Sequence, residues 1–360
     1  MLELFPRILG YNLWRTIGFP RTMPMNYTVS LLYECNSRCN TCNIYKKKAK
    51  NLTVSEYRAI FKSLGHSPYW FTFSGGEPFL REDIDEIVAM AYEYCKPAII
   101  NIPTNGILTR RIVEKVKAIC ITCRHSQVVI NLSVDGIGDQ HDIIRNVPGN
   151  YKKVIATYHA LRKLKLSNLT IGMHTVISKL NVASFPSIAT QLMDLEPDSY
   201  ITEIAEERVE LDTIGADITP DQVRYRSAID YLIHRIKNHQ FKGMNKITQA
   251  FRIEYYNLVK LILRDKTQVI PCYSGFASVQ ISPDGKVWSC CIKAEPMGDL
   301  RETSYKFRKI WFSSTMNKER RSIKHKECYC PLANASYTNM LMNLPTLLRV
   351  FYRSFIKWWS

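Results

Sequence analysis

YTVSLLYECNSRCNTC, residues 27–42, joins a run of apolar and β-branched residues to three closely spaced cysteines. The run has the composition of a buried strand, so Cys35, Cys39 and Cys42 are predicted to follow a strand directly. Three thiolates suit a 4Fe–4S cluster that keeps one iron open. They also suit a zinc site that finds its fourth ligand elsewhere in the chain. The motif alone leaves both kinds of metal site open.

Beyond this motif, residues 27–205 alternate β-rich runs with helical segments. The runs predicted as strands span residues 27–34, 69–74, 98–104, 128–134, 169–177 and 199–205. Strands separated by helices form βαβ units whose strands pair in parallel. The alternation therefore predicts an α/β fold with a partial (β/α)6 barrel of the TIM type. Functional residues in such a barrel lie at the carboxyl ends of the strands.

The C-terminal part of the chain follows another pattern. Residues 219–264 are helical and basic, and two strands are predicted around the turn Asp284–Gly285. We expect five parts: an N-terminal amphipathic segment (1–24), the barrel (25–218), a helical linker (219–267), a small β-hairpin/α domain (268–335) and a C-terminal amphipathic helix (336–360).

Composition limits the classes of protein. A chain of 360 residues with 46% hydrophobic residues is expected to fold. Its 11 cysteines are clustered and odd in number, which indicates metal ligation in a reducing compartment. No apolar run of about 18 residues or more predicts a membrane span, and no signal peptide is evident. The net charge of +17 is compatible with nucleic acid, an anionic membrane or a solvated basic surface.

Glycine-rich and polar motifs follow the next predicted strands, where a barrel has its mouth. Gly75, Gly76 and Glu77 come after the second strand, PTNG (103–106) ends the third, and LSVDG (132–136) ends the fourth. Adjacent glycines let the backbone approach a ligand closely. Glu77 offers an acceptor for an ammonium group.

The order of these motifs resembles that of the radical S-adenosylmethionine (SAM) superfamily, over roughly residues 27–205. The resemblance implies that Cys35, Cys39 and Cys42 hold a 4Fe–4S cluster whose open iron binds SAM. In that family an electron cleaves SAM, and a 5′-deoxyadenosyl radical takes a hydrogen atom from the substrate. The residues implied to bind SAM are Gly75, Gly76, Glu77, Asn105, Ser133 and Arg145.

Two details of the barrel motifs need comment. The family usually has an aromatic residue before the third cysteine, in contact with adenine, but Thr41 stands here and Tyr45 is a candidate substitute. Arg145 is predicted to pair either with a carboxylate of SAM or substrate, or with Asp142. No side chain is predicted to be catalytic.

The C-terminal cysteines are similar to those of the auxiliary-cluster domain called SPASM, in its shortened "twitch" form. The similarity implies one auxiliary 4Fe–4S cluster held by Cys272, Cys290, Cys328 and Cys330. Because Cys328 and Cys330 are only two positions apart, Cys291 is an alternative ligand for either. A zinc site is the other interpretation of this module. The remaining cysteines, Cys95, Cys120 and Cys123, are predicted to be structural.

The last residues predict an amphipathic helix. Its apolar face comprises Leu344, Leu348, Phe351, Phe355 and Trp359, and its basic stripe comprises Arg349, Arg353 and Lys357. This pattern is typical of a helix on an anionic membrane surface. The alternative is a helix docked on the protein's own core or on a dimer partner.

The sequence as a whole predicts a radical SAM oxidoreductase or maturase that uses SAM and two 4Fe–4S clusters. We expect a reductant such as ferredoxin or flavodoxin, and a substrate that is a peptide or a membrane-associated lipid or glycan intermediate. The expected location is cytoplasmic, on the inner membrane face if the last helix binds lipid. No nucleic acid is expected. The alternative is a basic zinc protein that interacts with nucleic acid.

Overall fold

A single sheet runs through the molecule. The structure is a computed structural model that describes residues 4–238 and 244–355. Within these ranges nine strands pair in the order β6-β5-β4-β3-β2-β1-β7-β8-β9. The strands are β1 (Asn26–Ser30), β2 (Trp70–Ser74), β3 (Ile99–Thr104), β4 (Gln127–Ser133), β5 (Leu169–Ile177), β6 (Ser199–Ile204), β7 (Ser278–Ile281), β8 (Lys286–Trp288) and β9 (Pro296–Asp299).

The first six strands are mutually parallel, each connected to the next through a helical crossover. The helices are α1 (Leu4–Ile17), α2 (Val54–Leu64), α3 (Ile84–Cys95), α4 (Thr109–Thr122), α5 (Asp139–Arg145), α6 (Asn150–Arg162), α7 (Phe185–Met193), α8 (Gln222–Asn238), α9 (Met244–Asp265), α10 (Phe307–Trp311), α11 (Ser314–Lys324), α12 (Ala333–Leu341) and α13 (Leu344–Phe355). The α/β class and the partial (β/α)6 barrel are confirmed.

Alternation along the strands separates a core face from a polar face. On β2, Phe71 and Phe73 are fully buried, and Phe61 of α2 packs edge-on against both rings. Each such side chain contributes about 1.5–3 kcal/mol through burial. The intervening Thr72 and Ser74 are only half-buried. Because side chains alternate across a strand, these polar residues lie on the opposite face of the sheet from the helices.

The first strand is shorter than predicted. It ends at Ser30, not at residue 34. After Ser30 the chain leaves the sheet, and the carbonyl oxygens of Leu32 and Glu34 accept hydrogen bonds from the N–H groups of Gly76 (2.8 Å) and Glu77 (3.0 Å). The loop after β1 is thus fastened to the loop after β2.

The C-terminal module continues the barrel sheet. β7 pairs in parallel with β1, with Ser278 opposite Asn26. β7 and β8 are antiparallel, as the turn Asp284–Gly285 predicts, and Gly285 has a φ of +90° that favours glycine. The boundaries of the five parts remain predictions, but this pairing brings the cysteines after β8 to the side of the sheet next to β1.

The last described helix is attached by charged groups. The Nε atoms of Arg349 and Arg353 each lie 2.6 Å from a carboxylate oxygen of Glu254, a buried residue of α9. The two arginines therefore do not form a free basic stripe, because a carboxylate distant in sequence pairs with both. The other residues of the predicted helix pattern, Lys357 and Trp359, lie outside the described residues. No helix within residues 4–238 and 244–355 is long and apolar enough to cross a membrane.

Candidate functional site

The three cysteines after β1 lie in one loop with half-buried side chains. The loop closes on itself where the N–H of Cys42 donates to the carbonyl of Cys39 at 3.1 Å. It is held to α5 because the N–H groups of Arg38 and Asn40 donate to the carbonyls of Arg145 (3.2 Å) and Ile144 (2.9 Å). The carboxyl end of β1 thus presents all three thiols near the end of β4.

Burial keeps the thiols of Cys35 and Cys42 protonated in the absence of a metal. Burial, with a smaller contribution from the charge of Cys39, raises the pKa of Cys35 to about 11 and that of Cys42 to about 12. Metal binding must release such protons, since the thiolate is the ligand. Two donors are already directed at the sulfurs: Asn105 Nδ2 lies 3.9 Å from Cys35 Sγ, and Arg145 Nη1 lies 3.7 Å from Cys39 Sγ. This donor set fits an iron–sulfur cluster.

The predicted glycines are required by the chain itself. Gly75 has a φ of +126°, and a Cβ there would lie 2.2 Å from the carbonyl oxygen of Leu32. At Gly76 a Cβ would lie 2.0 Å from the carbonyl oxygen of Glu34. Side chains at these positions would push the cysteine loop away from β2.

Glu77 joins the ends of two strands. Its Oε1 accepts hydrogen bonds from Thr104 Oγ1 (2.8 Å) and Phe79 N (3.2 Å), and its Oε2 accepts one from Asn105 N (2.8 Å). Burial nevertheless raises the pKa of Glu77 to about 7. Because a carboxylate oxygen can accept two hydrogen bonds, Oε2 keeps one lone pair for a ligand ammonium group.

The other predicted SAM contacts lie at the ends of β3 and β4. Asn105 Nδ2 donates to Asn36 Oδ1 at 2.7 Å and to Ser37 Oγ at 3.1 Å, which ties β3 to the cysteine loop. Ser133 is the last residue of β4 and is half-buried. Tyr45 was suggested as the aromatic contact of adenine because Thr41 is not aromatic. In the structure, the guanidinium of Arg38 already lies over the ring of Tyr45, 4.4 Å from its centre.

Arg145 pairs with Asp135, not with Asp142. Its Nη2 lies 2.7 Å from Asp135 Oδ2, and both side chains are largely buried. Burial alone would lower the pKa of Arg145, but Asp135 and Cys39 hold it above the usual range. Asp142 instead accepts hydrogen bonds from the N–H groups of Gly149 (2.6 Å) and Tyr151 (2.7 Å). The Arg145 cation is therefore fixed beside the cysteine loop.

The four cysteines predicted for the auxiliary module come together. Cys272, Cys290, Cys328 and Cys330 line one cavity, together with Gln268. Burial, with smaller contributions from the charges of Cys272 and Cys328, raises the pKa of Cys290 to about 11. Gln268 organises the wall, since its Nε2 donates to the carbonyl of Cys328 at 2.8 Å and its Oε1 accepts from the N–H of Cys272 at 3.4 Å.

Cys291 lies beside this set, in the same apolar cluster as Cys330, but faces another way. Its sulfur lies 4.0 Å from Arg208 Nη1, and Cys291 does not line the cavity of the other four. The remaining three cysteines, Cys95, Cys120 and Cys123, are buried in the core, as predicted.

A buried polar group between the two cysteine sites escaped the sequence analysis. Arg208 partly offsets the raised pKa of Cys42 on one side and contacts Cys291 on the other. Burial raises the pKa of Glu206 to about 8, and the charge of Glu206 in turn raises the pKa of Cys330. Glu210 accepts hydrogen bonds from Gln280 and Ser30. The signal was present, because this charged segment directly follows the last barrel strand.

Within residues 4–238 and 244–355, no three His, Cys, Asp or Glu side chains are arranged to hold one ion. An iron–sulfur cluster binds each thiolate through a different iron, so it needs ligands that are farther apart.

Comparison with known families identifies both modules. The sequence profile of the radical SAM superfamily matches residues 29–192. The chain contains a radical SAM domain. The profile of SPASM, an iron–sulfur cluster-binding domain, matches residues 272–331 and covers the C-terminal cysteines. The radical SAM domain binds a 4Fe–4S cluster and SAM, and the SPASM domain binds additional iron–sulfur clusters.

Curated relatives are distant. Fe-coproporphyrin III synthase of Methanosarcina barkeri (strain Fusaro / DSM 804) is 26% identical over 218 residues, covering 58% of this chain and 51% of that protein. The antilisterial bacteriocin subtilosin biosynthesis protein AlbA of Bacillus subtilis (strain 168) is 21% identical over 328 residues, covering 86% and 66%. The chain thus spans about half to two thirds of the length of these relatives.

A solved structure shares the fold. Streptococcus suis SuiB bound to S-adenosylmethionine superposes with a TM-score of 0.62 at 14% sequence identity, covering 83% of this chain and 68% of SuiB. At this identity the likeness concerns the fold.

Proposed function

We propose that this chain is a radical SAM oxidoreductase that takes a hydrogen atom from an unreactive C–H bond of a peptide. The observation that carries the proposal is the convergence of Cys35, Cys39 and Cys42 at the end of β1, with Asn105 and Arg145 directed at two of the sulfurs. When bound, the cofactors supply an electron that cleaves SAM and a 5′-deoxyadenosyl radical that takes the hydrogen atom.

The chain's own residues would hold and orient SAM. Glu77 keeps one lone pair of Oε2 for the ammonium group, and Gly75 and Gly76 keep its segment against the cysteine loop. Arg145 offers a buried cation beside the cysteines, and its Nε has no partner in the described part of the chain. A carboxylate would satisfy it. Asn105 and Ser133, at the ends of neighbouring strands, are assigned to further polar contacts of SAM.

We assign one auxiliary 4Fe–4S cluster to Cys272, Cys290, Cys328 and Cys330. These four residues share one cavity, which supports a four-thiolate site. Cys291 is directed toward Arg208, so it is not a ligand in this assignment. Its role would be to pack beside the polar group between the two sites.

The polar group between the cysteine sites supports a substrate rich in hydrogen-bonding groups. Glu206 Oε2 and Arg208 Nε are buried and have no hydrogen-bond partner within the described residues. Unsatisfied buried groups are costly, so a bound molecule that supplies an acceptor and a donor would be favoured. The amide groups of a peptide supply both.

The extent of the alignment with AlbA supports a peptide substrate. AlbA, named for the biosynthesis of a bacteriocin, aligns with 86% of this chain and therefore with much of both cysteine modules. Fe-coproporphyrin III synthase aligns with 58% of this chain and AdoMet-dependent heme synthase with 77%. The electron would come from a small acidic carrier such as ferredoxin or flavodoxin, which the net charge of +17 would attract.

Formation of 5′-deoxyadenosine tests the reaction class. Anaerobically reconstituted protein, reduced with dithionite, is expected to convert SAM to 5′-deoxyadenosine and methionine, measured by chromatography with mass detection. The variant C35A/C39A/C42A should form none, because no thiolates remain to hold the cluster at SAM. Cys291→Ala is the matched control and should retain product formation.

Product from the triple variant would refute the assignment of the cysteine loop. The substrate class is tested separately, by adding short peptides encoded beside the gene. A peptide that raises 5′-deoxyadenosine formation and changes mass supports a peptide substrate. If only a lipid or tetrapyrrole extract changes, the peptide assignment is wrong although the reaction class stands.

A further inference from the structure

The C-terminal helix α13 is attached to the protein by its polar side. The buried residues of α13 are Thr346, Val350 and Ser354. Arg349 and Arg353 of the same helix pair with the buried carboxylate of Glu254. An amphipathic helix on a globular protein normally buries its apolar face. Here the orientation is reversed.

The apolar face of α13 consequently points outward. Leu344 is 65% exposed and Phe351 is 57% exposed, although both are large apolar side chains. The exposed apolar side chains of the helix are Leu344, Leu348, Phe351, Tyr352 and Phe355. Their steps of three and four residues place them along one side of the helix.

The N-terminal helix α1 carries a second exposed stripe. Tyr11 and Trp14 are buried and hold α1 to the core. Phe5 and Ile17 are 71% and 72% exposed. The stripe recurs every four residues and consists of Phe5, Leu9, Leu13 and Ile17.

A hydrogen bond links α1 to the chain segment that leads into α13. Asn12, which lies three residues from Leu9 and next to Leu13, donates from Nδ2 to the carbonyl of Met342 at 3.2 Å. Met342 lies two residues before the start of α13. This hydrogen bond places the residues just before α13 beside the middle of α1. The exposed faces of α1 and α13 are together called the apolar surface below. An apolar surface of this extent on a globular protein indicates a binding partner.

The charge around the apolar surface favours an anionic partner. Neither α1 nor α13 contains an Asp or Glu. At the end of α1, the exposed Lys324 donates to the carbonyl of Thr16 at 3.2 Å, and Arg21 is exposed nearby in the chain. Basic groups beside an exposed apolar stripe are what an interfacial helix presents to a lipid bilayer.

We propose that the apolar surface binds an anionic lipid bilayer. Apolar side chains of both helices enter the interface between headgroups and acyl chains, and basic residues at the rim meet anionic headgroups. The site of chemistry would then work at the membrane surface. This proposal is independent of the substrate class.

Co-sedimentation with vesicles tests the proposal. The full-length protein is expected to pellet with vesicles of phosphatidylcholine containing about 30 mol% phosphatidylglycerol, and less so as salt is raised toward about 1 M. L348E/F351E should lower the affinity at least about tenfold, since two charges would enter the apolar region. Ile121→Glu on α4 is the matched control, because Ile121 is also 61% exposed. It should bind like the unmodified protein.

Melting curves verify that both variants remain folded, as expected for exposed positions. Absence of binding to anionic vesicles, or equal binding to pure phosphatidylcholine, would overturn the proposal. So would a dimer, seen in sedimentation velocity, that L348E/F351E dissociates while vesicle binding is unaffected, because the surface would then be covered by a second copy.

Discussion

Gly76 is the residue at which the loops after β1 and β2 meet. Because a Cβ at this position would lie 2.0 Å from the carbonyl oxygen of Glu34, Gly76→Ala must move backbone. We expect it to lower the free energy of unfolding by about 1–3 kcal/mol in urea titrations. Gly10→Ala, in the middle of α1, is the control, since its Cβ would lie 3.8 Å from its nearest neighbour, a methyl group of Thr22. It should stabilise the helix by about 0.5–1 kcal/mol, and a loss as large as that of Gly76→Ala would contradict the argument.

Glu77 makes the stability depend on pH in an unusual direction. Burial raises its pKa from 4.5 to about 7. The unfolded chain therefore releases this proton first, and the stabilisation present below pH 4.5 is lost as the pH rises through about 7. In the cluster-free protein, the stability of the wild type relative to Glu77→Gln should fall on the order of 3 kcal/mol across this range.

Glu56 provides the opposite case for comparison. Its hydrogen bond with Arg301 lowers its pKa to about 2. The stabilisation by Glu56 is therefore present above the pKa of the unfolded state and is lost as the pH falls toward 2. The free energy of unfolding of the wild type should rise relative to that of Glu56→Gln as the pH increases from acid values. Denaturant titrations at several pH values measure both differences. Parallel pH profiles of the two pairs would refute the assigned environments.

At the level of elements, local patterns predicted what depends on local structure. The apolar runs predicted all six barrel strands and the hairpin turn predicted β7 and β8, because strand burial and turn geometry are set by neighbouring residues. The early end of β1 was not predictable, because it depends on hydrogen bonds to the loop after β2. The parallel pairing of β7 with β1 joins residues some 250 positions apart, which no local pattern reveals.

The same limit applies to the site. The order of motifs along the chain predicted the cysteine loop and the four auxiliary cysteines that the structure brings together. The sequence left two possible partners for Arg145, a ligand carboxylate and Asp142. The structure pairs it with Asp135, because α5 directs the side chain back toward the end of β4. The polar group around Arg208 was missed, since its meaning depends on lying between two modules.

The ion pairs that attach α13 to Glu254 can be tested by their contribution to the free energy of unfolding. R349M/R353M leaves the buried carboxylate of Glu254 without its two partners, so we expect a loss of about 3–5 kcal/mol in the free energy of unfolding. Adding Glu254→Gln removes the unpaired charge and should restore much of that loss. Urea titrations measure both, and a triple variant no more stable than the double variant would show that the arginines act otherwise. Truncation after Asn343 would carry the same penalty, which makes substitutions the better probe of the apolar surface.

For the whole molecule, one continuous sheet connects two cysteine sites and leaves a buried polar group between them. The barrel strands present Cys35, Cys39 and Cys42 at one place, and β7 and β8 bring the auxiliary cysteines alongside by extending the same sheet from β1. The relative position of the two sites is therefore set by strand pairing. Helices α1 and α13 lie beside this arrangement and offer a surface that is apolar where a soluble protein is usually polar.

Iron content tests this two-site organisation directly. Protein reconstituted without oxygen should contain about eight irons per chain, four for each 4Fe–4S cluster. C35A/C39A/C42A should retain about four, and so should C272A/C290A/C328A/C330A, because either set of thiolates can be removed while the other remains. Cys291→Ala, the matched control, should retain about eight, since its sulfur lies beside Arg208 and outside the cavity of the other four. Iron and zinc are measured together by mass spectrometry, alongside the visible absorbance of each sample. Zinc in C35A/C39A/C42A would identify the auxiliary site as a zinc site, and about eight irons in that variant would mean two auxiliary clusters. A halved iron content in Cys291→Ala would mean that Cys291 is a cluster ligand in place of one of the four assigned cysteines.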